Sequence, residues 1–246
     1  MKIGNRSFRP KLLPSLVFIA LLPALIALGI WQWNRGMEKY HLRDVREENA
    51  KKAPIRLKRY RGPEKDLLGR EVIVRGRFDL EKQLLLHNQK YREEPGFLIF
   101  APFRLEHEDR VILVNRGWLS TGMRLSTIPD LPGPGGLIEL RGRIEHPPSV
   151  GLKLGEPDAG KMGWPRAVIY IDRDWLTRQM GYHFMPNVLW LESGETYGLV
   201  RDWAQFDKGR EQMPPEKHMG YAFQWFSLAL ALCVIYIVVN LKKTED

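Results

Sequence analysis

The stretch HMGYAFQW, residues 218–225, brings an imidazole, a phenol, an amide and an indole together at the start of a long apolar run. Tyr221, Ala222 and Trp225 lie three, four and seven residues after His218, so we expect all four to share one face of a helix. Gln224 adds an amide that we expect to be buried or half-buried, which is costly in an apolar environment unless it finds a partner. This cluster could therefore bind a ligand as well as anchor a helix.

A haem is the ligand that these residue types suit. A neutral imidazole at the edge of an apolar layer is a good axial ligand for iron, which gives His218 that role. Tyr221 and Trp225 would flank the macrocycle. Arg35, four residues after Trp31 in an earlier apolar segment, could pair with a haem propionate. The residue types alone leave this hypothesis open against simpler ones.

Two alternatives fit the same residues. Aromatic side chains commonly lie at a membrane surface, and such a belt accounts for Trp31, Trp33 and Tyr221 without any ligand. Met213 and Met219, with the histidine between them, could form a soft copper(I) site, although no second cluster supports one.

Other kinds of chemistry find no support in the sequence. The six histidines include no HExxH or HxH pair, and there is no GxSxG motif or phosphate-binding glycine loop. Cys233, the only cysteine, lies in an apolar run near the C-terminus, which excludes a CxxC copper carrier, a thioredoxin-like reductase and a disulfide in the central region. No catalytic residue is predicted, and we do not expect an enzyme.

The motif NRGW, residues 115–118, closes the most apolar of the predicted strands. An arginine beside an aromatic side chain could clamp a carboxylate while the ring stacks on a planar ligand. The simpler interpretation is a strand end whose indole covers the core. Both interpretations stay open at this point.

Two charge-free runs, residues 12–33 and 218–241, are each long enough to form a helix of roughly 30 Å, the thickness of a bilayer core. The first run exceeds the apolar part of a signal peptide and no small-residue cleavage site follows it, which favours an uncleaved anchor. Lysines and arginines flank both runs on their terminal sides, which predicts that both termini are cytoplasmic and that the central region lies outside the cytoplasm. The lipid bilayer is therefore an expected partner, and nucleic acid is not.

The sequence predicts five segments, namely a cytoplasmic tail (1–11), a transmembrane helix (12–33), an extracytoplasmic domain (34–217), a second transmembrane helix (218–241) and a second tail (242–246). The first helix is expected to continue beyond the membrane towards Pro54. Strand patterns at 71–78, 82–88, 97–103, 110–118, 137–144, 166–172 and 186–193 predict an antiparallel, partly closed, β-barrel-like domain with little helix. A short helix at 172–180 would have Asp172 as its N-cap.

Two strand patterns share the tripeptide Arg-Gly-Arg, in VRGRF (74–78) and LRGRI (140–144). A glycine inside a strand indicates a bulge or a close approach of another backbone. We therefore expect two similarly curved strands of one twisted sheet, and the alternative is a duplicated ligand site.

Five blocks of sequence resemble, in order, the Surfeit locus protein 1 family: LGIWQWNRGMEK, EVIVRGRFD, EEPGFLIFAPF, VILVNRGW and HMGYAFQWF. The resemblance extends from residue 28 to residue 241. Besides His218, Tyr221 and Trp225, the matching positions are Trp33, Arg35, Lys39, Arg75, Gly76, Phe78, Gly96, Pro102, Asn115, Arg116, Gly117, Trp118, Gly220 and Gln224. The chain departs from the family in having WQWNR where WQLxR is common, and Glu216 and Lys217 where many members have two asparagines.

The resemblance implies an assembly factor for haem–copper cytochrome c oxidase that assists the delivery or insertion of haem A into the largest subunit. The implied ligand is haem A held by His218, and the implied partners are that subunit, haem A synthase and the bilayer. The alternative is a scaffold that binds oxidase subunits or haem A synthase without itself binding haem. Because the short N-terminal tail leaves no room for a mitochondrial transit peptide, we expect a bacterial inner membrane with the central domain in the periplasm.

Overall fold

The structure, a computed structural model, describes residues 2–3, 6–120, 131, 133–148, 153, 155–158, 163–194, 199–204, 206 and 213–243. The chain divides into two compact units. One unit comprises Met1–Arg43 with Glu211–Asp246 and is called the helical unit below; the other comprises Asp44–Arg210 and is called the β domain.

The helices and strands follow the chain in this order. The helices are α1 (Leu12–Ala50), α2 (Arg173–Met180) and α3 (Pro215–Asn240). The strands are β1 (Lys2–Ile3), β2 (Arg6–Phe8), β3 (Ile55–Arg56), β4 (Glu71–Phe78), β5 (Leu84–Tyr91), β6 (Glu94–Leu105), β7 (Arg110–Ser120), β8 (Ile138–Glu145), β9 (Arg166–Val168), β10 (His183–Leu191) and β11 (Leu241–Lys243). Two short 3-10 helices, Leu57–Arg59 and Glu64–Leu67, lie between β3 and β4.

Two helices, α1 and α3, are long and apolar enough to cross a membrane, and the helical unit contains α1 up to Arg43 and the whole of α3. The apolar stretch of each helix is almost entirely exposed on the protein, as expected for a surface that faces lipid. As the sequence predicts, α1 continues well beyond residue 33, to Ala50. The two helices make this a membrane protein, and where the membrane boundaries fall along them stays a prediction.

One narrow stripe of each long helix is covered. The covered positions include 15, 18, 22, 25, 29, 32, 36 and 39 on α1, and 215, 218, 222, 225, 229, 232, 236 and 240 on α3. Their spacings alternate between three and four residues, with one further step of four at the end of α3, as in a coiled-coil seam. Phe18 stacks on Tyr236 with ring centroids 4.2 Å apart, whereas Gly36 meets Met219, so the two helices pack antiparallel.

A buried asparagine joins the two helices at the terminal end of the unit. Asn240 is fully buried, and its side-chain oxygen accepts a hydrogen bond from the backbone of Lys11 at 2.8 Å. Its own side chain donates to the carbonyl of Tyr236, and its carbonyl accepts from the backbone of Arg9. A small antiparallel sheet of β1, β2 and β11 continues this junction.

The β domain is a sheet that closes on itself. The strand order is β3–β4–β8–β10–β7–β6–β5–β9, and β4 also pairs with β6. This additional pairing closes a ring of five strands (β4, β8, β10, β7 and β6), to which β3, β5 and β9 are attached at the outside. The predicted partly closed, β-barrel-like domain with little helix is confirmed.

The predicted antiparallel arrangement holds for most neighbours, but three pairs are parallel, namely β3–β4, β7–β10 and β5–β9. A tight turn fixes the direction of strands that follow one another directly, and it fixes nothing for strands far apart in sequence. Residues 121–182 separate β7 from β10 in the sequence. No local pattern could therefore predict the relative direction of these two strands. The predicted strand at 166–172 is shorter in the structure: it ends at Val168, and Asp172 is the N-cap of α2.

The N-cap prediction for α2 is confirmed. The Asp172 carboxylate accepts a hydrogen bond from the backbone N–H of Trp175 at 2.9 Å. This bond is the main reason why the pKa of Asp172 is lowered, and the nearby ammonium of Lys153 lowers it further.

Of the two features that the Arg-Gly-Arg glycines indicated, a bulge or a close approach, the structure has the close approach at both. A Cβ added at Gly76 would lie 2.0 Å from the carbonyl oxygen of Arg104, and one added at Gly142 would lie 2.5 Å from the carbonyl oxygen of Trp190. The two glycines lie on neighbouring strands, β4 and β8, and Gly76 lies where β4 meets β6 to close the ring. Glycine is therefore needed for the closure.

The core of the domain contains two large apolar clusters and a smaller third one, and β7 contributes to both large clusters. Ile112 and Val114 pack in one cluster, while Val111 and Leu113 pack in the other. Because successive side chains of a strand point to opposite faces, β7 is buried on both sides, which explains its continuous apolar sequence.

Candidate functional site

The histidine singled out by its sequence context is buried where the two long helices meet. His218 lies in the first turns of α3 and is only 5% exposed. Its Nδ1 lies 2.7 Å from Oε1 of Gln32 on α1, and Gln32 is itself 8% exposed. The site is therefore a polar pair enclosed by two apolar helices.

A glycine on α1 lets the helices approach closely at this level. A Cβ added at Gly36 would lie 2.9 Å from Sδ of Met219 and 3.3 Å from Cβ of His218. Gly36 is one turn after Gln32, so α1 presents an amide and a gap on the same stripe. The histidine is held against α1 by this packing as well as by its hydrogen bond.

The hydrogen bond determines which ring nitrogen is free. The oxygen of an amide can only accept, so the proton of a neutral His218 lies on Nδ1 and leaves a lone pair on Nε2. Solvent does not reach Nε2, and no residue in the described part of the chain forms a hydrogen bond with it. A metal-ligating histidine has this arrangement, with one N–H held by an oxygen and the other nitrogen available. The residues present therefore fit a single axial ligand to haem iron.

Two cationic side chains of α1 bind the start of α3 and the chain just before it. The Lys39 ammonium donates a hydrogen bond to the carbonyl of Met213. Arg43 pairs with Glu216 at 2.7 Å, and this bond lowers the pKa of Glu216. Both cations belong to α1, so the start of α3 is fixed next to the helix that carries Gln32.

The remaining predicted ligand-binding residues lie at more exposed positions. Arg35, the expected propionate partner, forms an ion pair with Glu38 at 2.6 Å, and both side chains are more than half exposed. Tyr221 is 45% exposed and Trp225 is half-buried, so only part of the expected shared face turns towards α1. Trp31 and Trp33 are exposed, as residues of an aromatic belt would be.

One expectation about the amides is wrong. Gln224, expected to be buried or half-buried, is exposed on α3, because the covered stripe of that helix passes through 218, 222 and 225 and leaves 224 on the outer side. The buried amide is Gln32, which the sequence reasoning missed. Its signal was present, since an amide inside a charge-free run needs a partner wherever it lies. Among the described residues there is no group of three histidine, cysteine or acidic side chains that could hold a metal.

The NRGW motif is part of the core of the β domain. Asn115, Arg116 and Trp118 are all at most 5% exposed. Arg116 donates to the side-chain oxygen of Gln83 at 2.6 Å and to the carbonyl of Leu131 at 3.2 Å, and burial lowers its pKa. The indole of Trp118 donates to the carbonyl of Gln89. Of the two open interpretations, the structure supports a strand end that closes the core.

The other residues of the β domain that match the family also contribute to its packing and strand pairing. Arg75 pairs with Glu106 at 3.4 Å, and Phe78 packs edge-on against Phe103 with centroids 4.9 Å apart. Gly96 leaves room for the indole of Trp118, and Pro102 lies opposite Leu113 in the β6–β7 pairing. Gly117 adopts a positive φ of 129° next to the irregularity in that pairing, which favours glycine.

Comparisons with known proteins agree with the resemblance seen in the sequence. Residues 19–230 match the family model described as the SURF1 family. A SURF1-like protein of Rickettsia bellii is 26% identical over 215 residues, which cover 86% of this chain and 84% of the relative. A SURF1-like protein of Caenorhabditis briggsae is 25% identical and covers 91% of this chain and 74% of its own length. Cytochrome oxidase assembly protein SHY1 of Saccharomyces cerevisiae is 31% identical over 118 residues, which cover 47% of this chain and 30% of the yeast protein.

Proposed function

Because this chain belongs to the SURF1 family, we propose that it is an assembly factor for cytochrome oxidase that carries haem A on His218. The observation that carries the proposal is the buried imidazole whose Nδ1 is occupied by Gln32 and whose Nε2 has no hydrogen-bond partner among the described residues. The assembly role is supported by the yeast relative, which is named a cytochrome oxidase assembly protein.

Each residue has a defined task in this proposal. Nε2 of His218 would bind the iron of haem A, so the imidazole would supply a protein ligand to the cargo. Gln32 keeps the ring oriented and the proton on Nδ1. Arg35 would release Glu38 and bind a propionate, a charge-assisted bond that replaces an exposed ion pair of small net value. Tyr221 and Trp225 would lie against the macrocycle.

The covering of Nε2 has a consequence for how haem A would bind. Solvent does not reach this nitrogen, so a side chain near it must move before iron can approach. Such a requirement suits a carrier that holds its cargo in transit, since the side chain would cover Nε2 again when haem A is handed to the largest oxidase subunit. Haem A synthase is the corresponding donor in this proposal.

The proposed membrane arrangement places both termini in the cytoplasm of a bacterium and the β domain in the periplasm. Lys2, Arg6, Arg9 and Lys11 precede α1, and Lys242 and Lys243 follow α3, which is the charge pattern of cytoplasmic flanks. His218 would then lie near the outer surface of the inner membrane.

The covering of Nε2 also supports one alternative function. A scaffold that binds oxidase subunits or haem A synthase without haem would need no accessible nitrogen, and the Gln32–His218 pair would then only fasten the two helices. In that case His218→Ala would leave oxidase assembly intact, whereas changes on the surface of the β domain would impair it.

The test is an absorption spectrum of the full chain, purified in mild detergent from cells that make haem A. We expect a reduced haem band in the parent that is lost or shifted in His218→Ala. His183→Ala, which changes an exposed histidine of β10, is the matched control and should keep the band. Absence of the band from the parent, with haem A present in the cells, would support the scaffold instead.

A further inference from the structure

The segment that follows α1 carries an unbroken series of positive charges. Between Glu48 and Glu64 the chain has six lysines and arginines and no acidic residue. Four of them, Arg56, Lys58, Arg59 and Arg61, lie in the hexapeptide RLKRYR. Neither the proposed haem site nor the core of the β domain uses them.

The fold holds this segment in a fixed conformation. Strand β3 pairs in parallel with β4, and the 3-10 helix Leu57–Arg59 follows at once. Leu57 is 3% exposed and packs in the core, and the backbone N–H of Tyr60 donates to the carbonyl of Leu57 at 3.0 Å. The Tyr60 hydroxyl donates to the carbonyl of Pro63. The basic side chains are therefore presented from an ordered backbone, at the edge of the sheet.

These side chains form one wall of a groove of about 770 Å³ in the β domain, which we call the basic groove. Leu57, Val74 and Leu105 contribute apolar atoms to its lining. The groove is also lined by Arg75 of β4 and by Glu106 and Glu108, which follow β6.

The two acidic residues of the groove do not neutralise its basic wall. Glu106 pairs with Arg75 at 3.4 Å, and Glu108 pairs with Arg110 at 2.7 Å. Arg56 is engaged by Glu139 at 2.5 Å. In the part of the chain that the structure describes, Lys58, Arg59 and Arg61 have no ion pair with a carboxylate, and Arg61 donates only to the backbone carbonyls of Lys58 and Tyr60. Three exposed cations thus remain available on one side of the groove.

We propose that the basic groove binds an acidic, extended segment of a partner protein. Its volume lies in the range of sites that enclose a molecule much larger than a single phosphate. In an extended peptide, side chains on the same face recur about every 6.8 Å, so acidic residues at alternate positions would turn a row of carboxylates towards the basic wall. Guanidinium groups bind carboxylates with two parallel hydrogen bonds, which favours acidic side chains as the recognised groups.

A lipid surface is the less suitable occupant. Segments that bind a bilayer surface combine basic residues with exposed apolar or aromatic side chains that enter the acyl region. Within the described residues, no large apolar side chain that lines the groove is exposed, and Tyr60 beside it is half-buried and held by its own hydrogen bond. The groove has the charges for a lipid headgroup and lacks the apolar anchor.

The test measures binding of a fluorescently labelled peptide of alternating glutamate and alanine to the full chain in nanodiscs of phosphatidylcholine, a zwitterionic lipid. We expect binding that weakens as salt rises, because the cations are exposed. The triple variant K58E/R59E/R61E should bind the peptide at least about tenfold more weakly. The matched control K90E/R92E/R178E reverses three exposed charges elsewhere on the β domain and should bind like the parent.

The alternative outcomes overturn the proposal. Equal loss in both triple variants would show that only net charge matters, and failure of the parent to bind the peptide would exclude an acidic segment. Preference of the parent for vesicles containing phosphatidylglycerol, lost in the groove variant, would assign the groove to lipid headgroups. If K58E/R59E/R61E does not fold by circular dichroism, K58Q/R59Q/R61Q replaces it with the same expectation. None of these measurements involves haem, so the inference is independent of the proposed function.

Discussion

At the scale of single residues, the ability of His218 to bind a metal depends on one proton, which the contact with Gln32 places on Nδ1. A buried imidazole has two nitrogens, and among the described residues only Nδ1 has a partner, so the position of the proton decides whether a lone pair is available to a metal. The pair also explains why an amide is tolerated inside an apolar helix, since its oxygen is satisfied by the ring N–H.

Replacement of Gln32 by leucine should leave the ring proton of His218 without a preferred nitrogen. NMR spectra of the haem-free chain with isotopically labelled histidine should show a protonated Nδ1 in the parent and a mixture of tautomers in Gln32→Leu. The variant should also be less stable by about 1–3 kcal/mol, because a buried N–H loses its acceptor.

Gln224→Leu is the matched control for this prediction, since it removes an exposed amide from the other helix. It should leave both the tautomer and the stability unchanged. An identical histidine spectrum for the parent and Gln32→Leu would show that the amide does not set the proton.

At the scale of elements, the start of α2 depends on one carboxylate. Asp172→Ala should cost about 1 kcal/mol by removing the N-cap, which lowers the Tm of a domain of this size by roughly 3 °C. Thermal unfolding of the full chain in detergent, followed by tryptophan fluorescence, measures the shift. Asp174→Ala, which changes the next exposed carboxylate along the helix, should have a smaller effect.

The same cap predicts a pH dependence with a definite sign. The pKa of Asp172 is lowered in the folded chain, so its contribution is present above the unfolded pKa of about 3.9 and is lost as the pH falls through the lowered value. The Tm difference between the parent and Asp172→Ala should therefore shrink in acid below about pH 4. A difference that stays constant into strong acid would contradict the role of the ionised carboxylate.

The packing of α1 against α3 depends on the gap at Gly36. Gly36→Val should push Met219 and His218 away from α1, because its branched side chain would occupy the space of both. We expect the His218 tautomer to become mixed, as in Gln32→Leu, together with a lower Tm. Gly220→Val is the control, since a Cβ at Gly220 meets nothing within 4 Å. Equal effects of the two substitutions would indicate a general loss of helix propensity instead.

At the scale of the whole molecule, the sequence predicted what has a local cause. Charge-free runs indicated the two long helices, and the Asp172 cap was predictable because its hydrogen bond joins residues only three positions apart. The Arg-Gly-Arg glycines indicated a special backbone position but not the neighbour, since Arg104 and Trp190 belong to distant parts of the chain. The parallel pairing of β7 with β10 could not be predicted from a local pattern, because residues 121–182 separate the two strands in sequence. Gln32 was missed for a similar reason, since its partner lies 186 residues away and only the antiparallel packing of α1 and α3 brings the two together.

Closure of the ring of five strands rests on Gly76, where β4 meets β6. A Cβ there would lie 2.0 Å from the carbonyl oxygen of Arg104, which belongs to a backbone that cannot yield without breaking the pairing of Gly76 with Leu105. Gly76→Ala should therefore destabilise the β domain by about 3 kcal/mol, which corresponds to a fall in Tm of roughly 10 °C. Gly135→Ala is the control, because a Cβ at Gly135 meets nothing within 4 Å and should leave the Tm of the full chain unchanged. If Gly76→Ala melts with the parent, β6 can shift along β4 without loss, and the pairing that closes the ring contributes little to the stability of the domain.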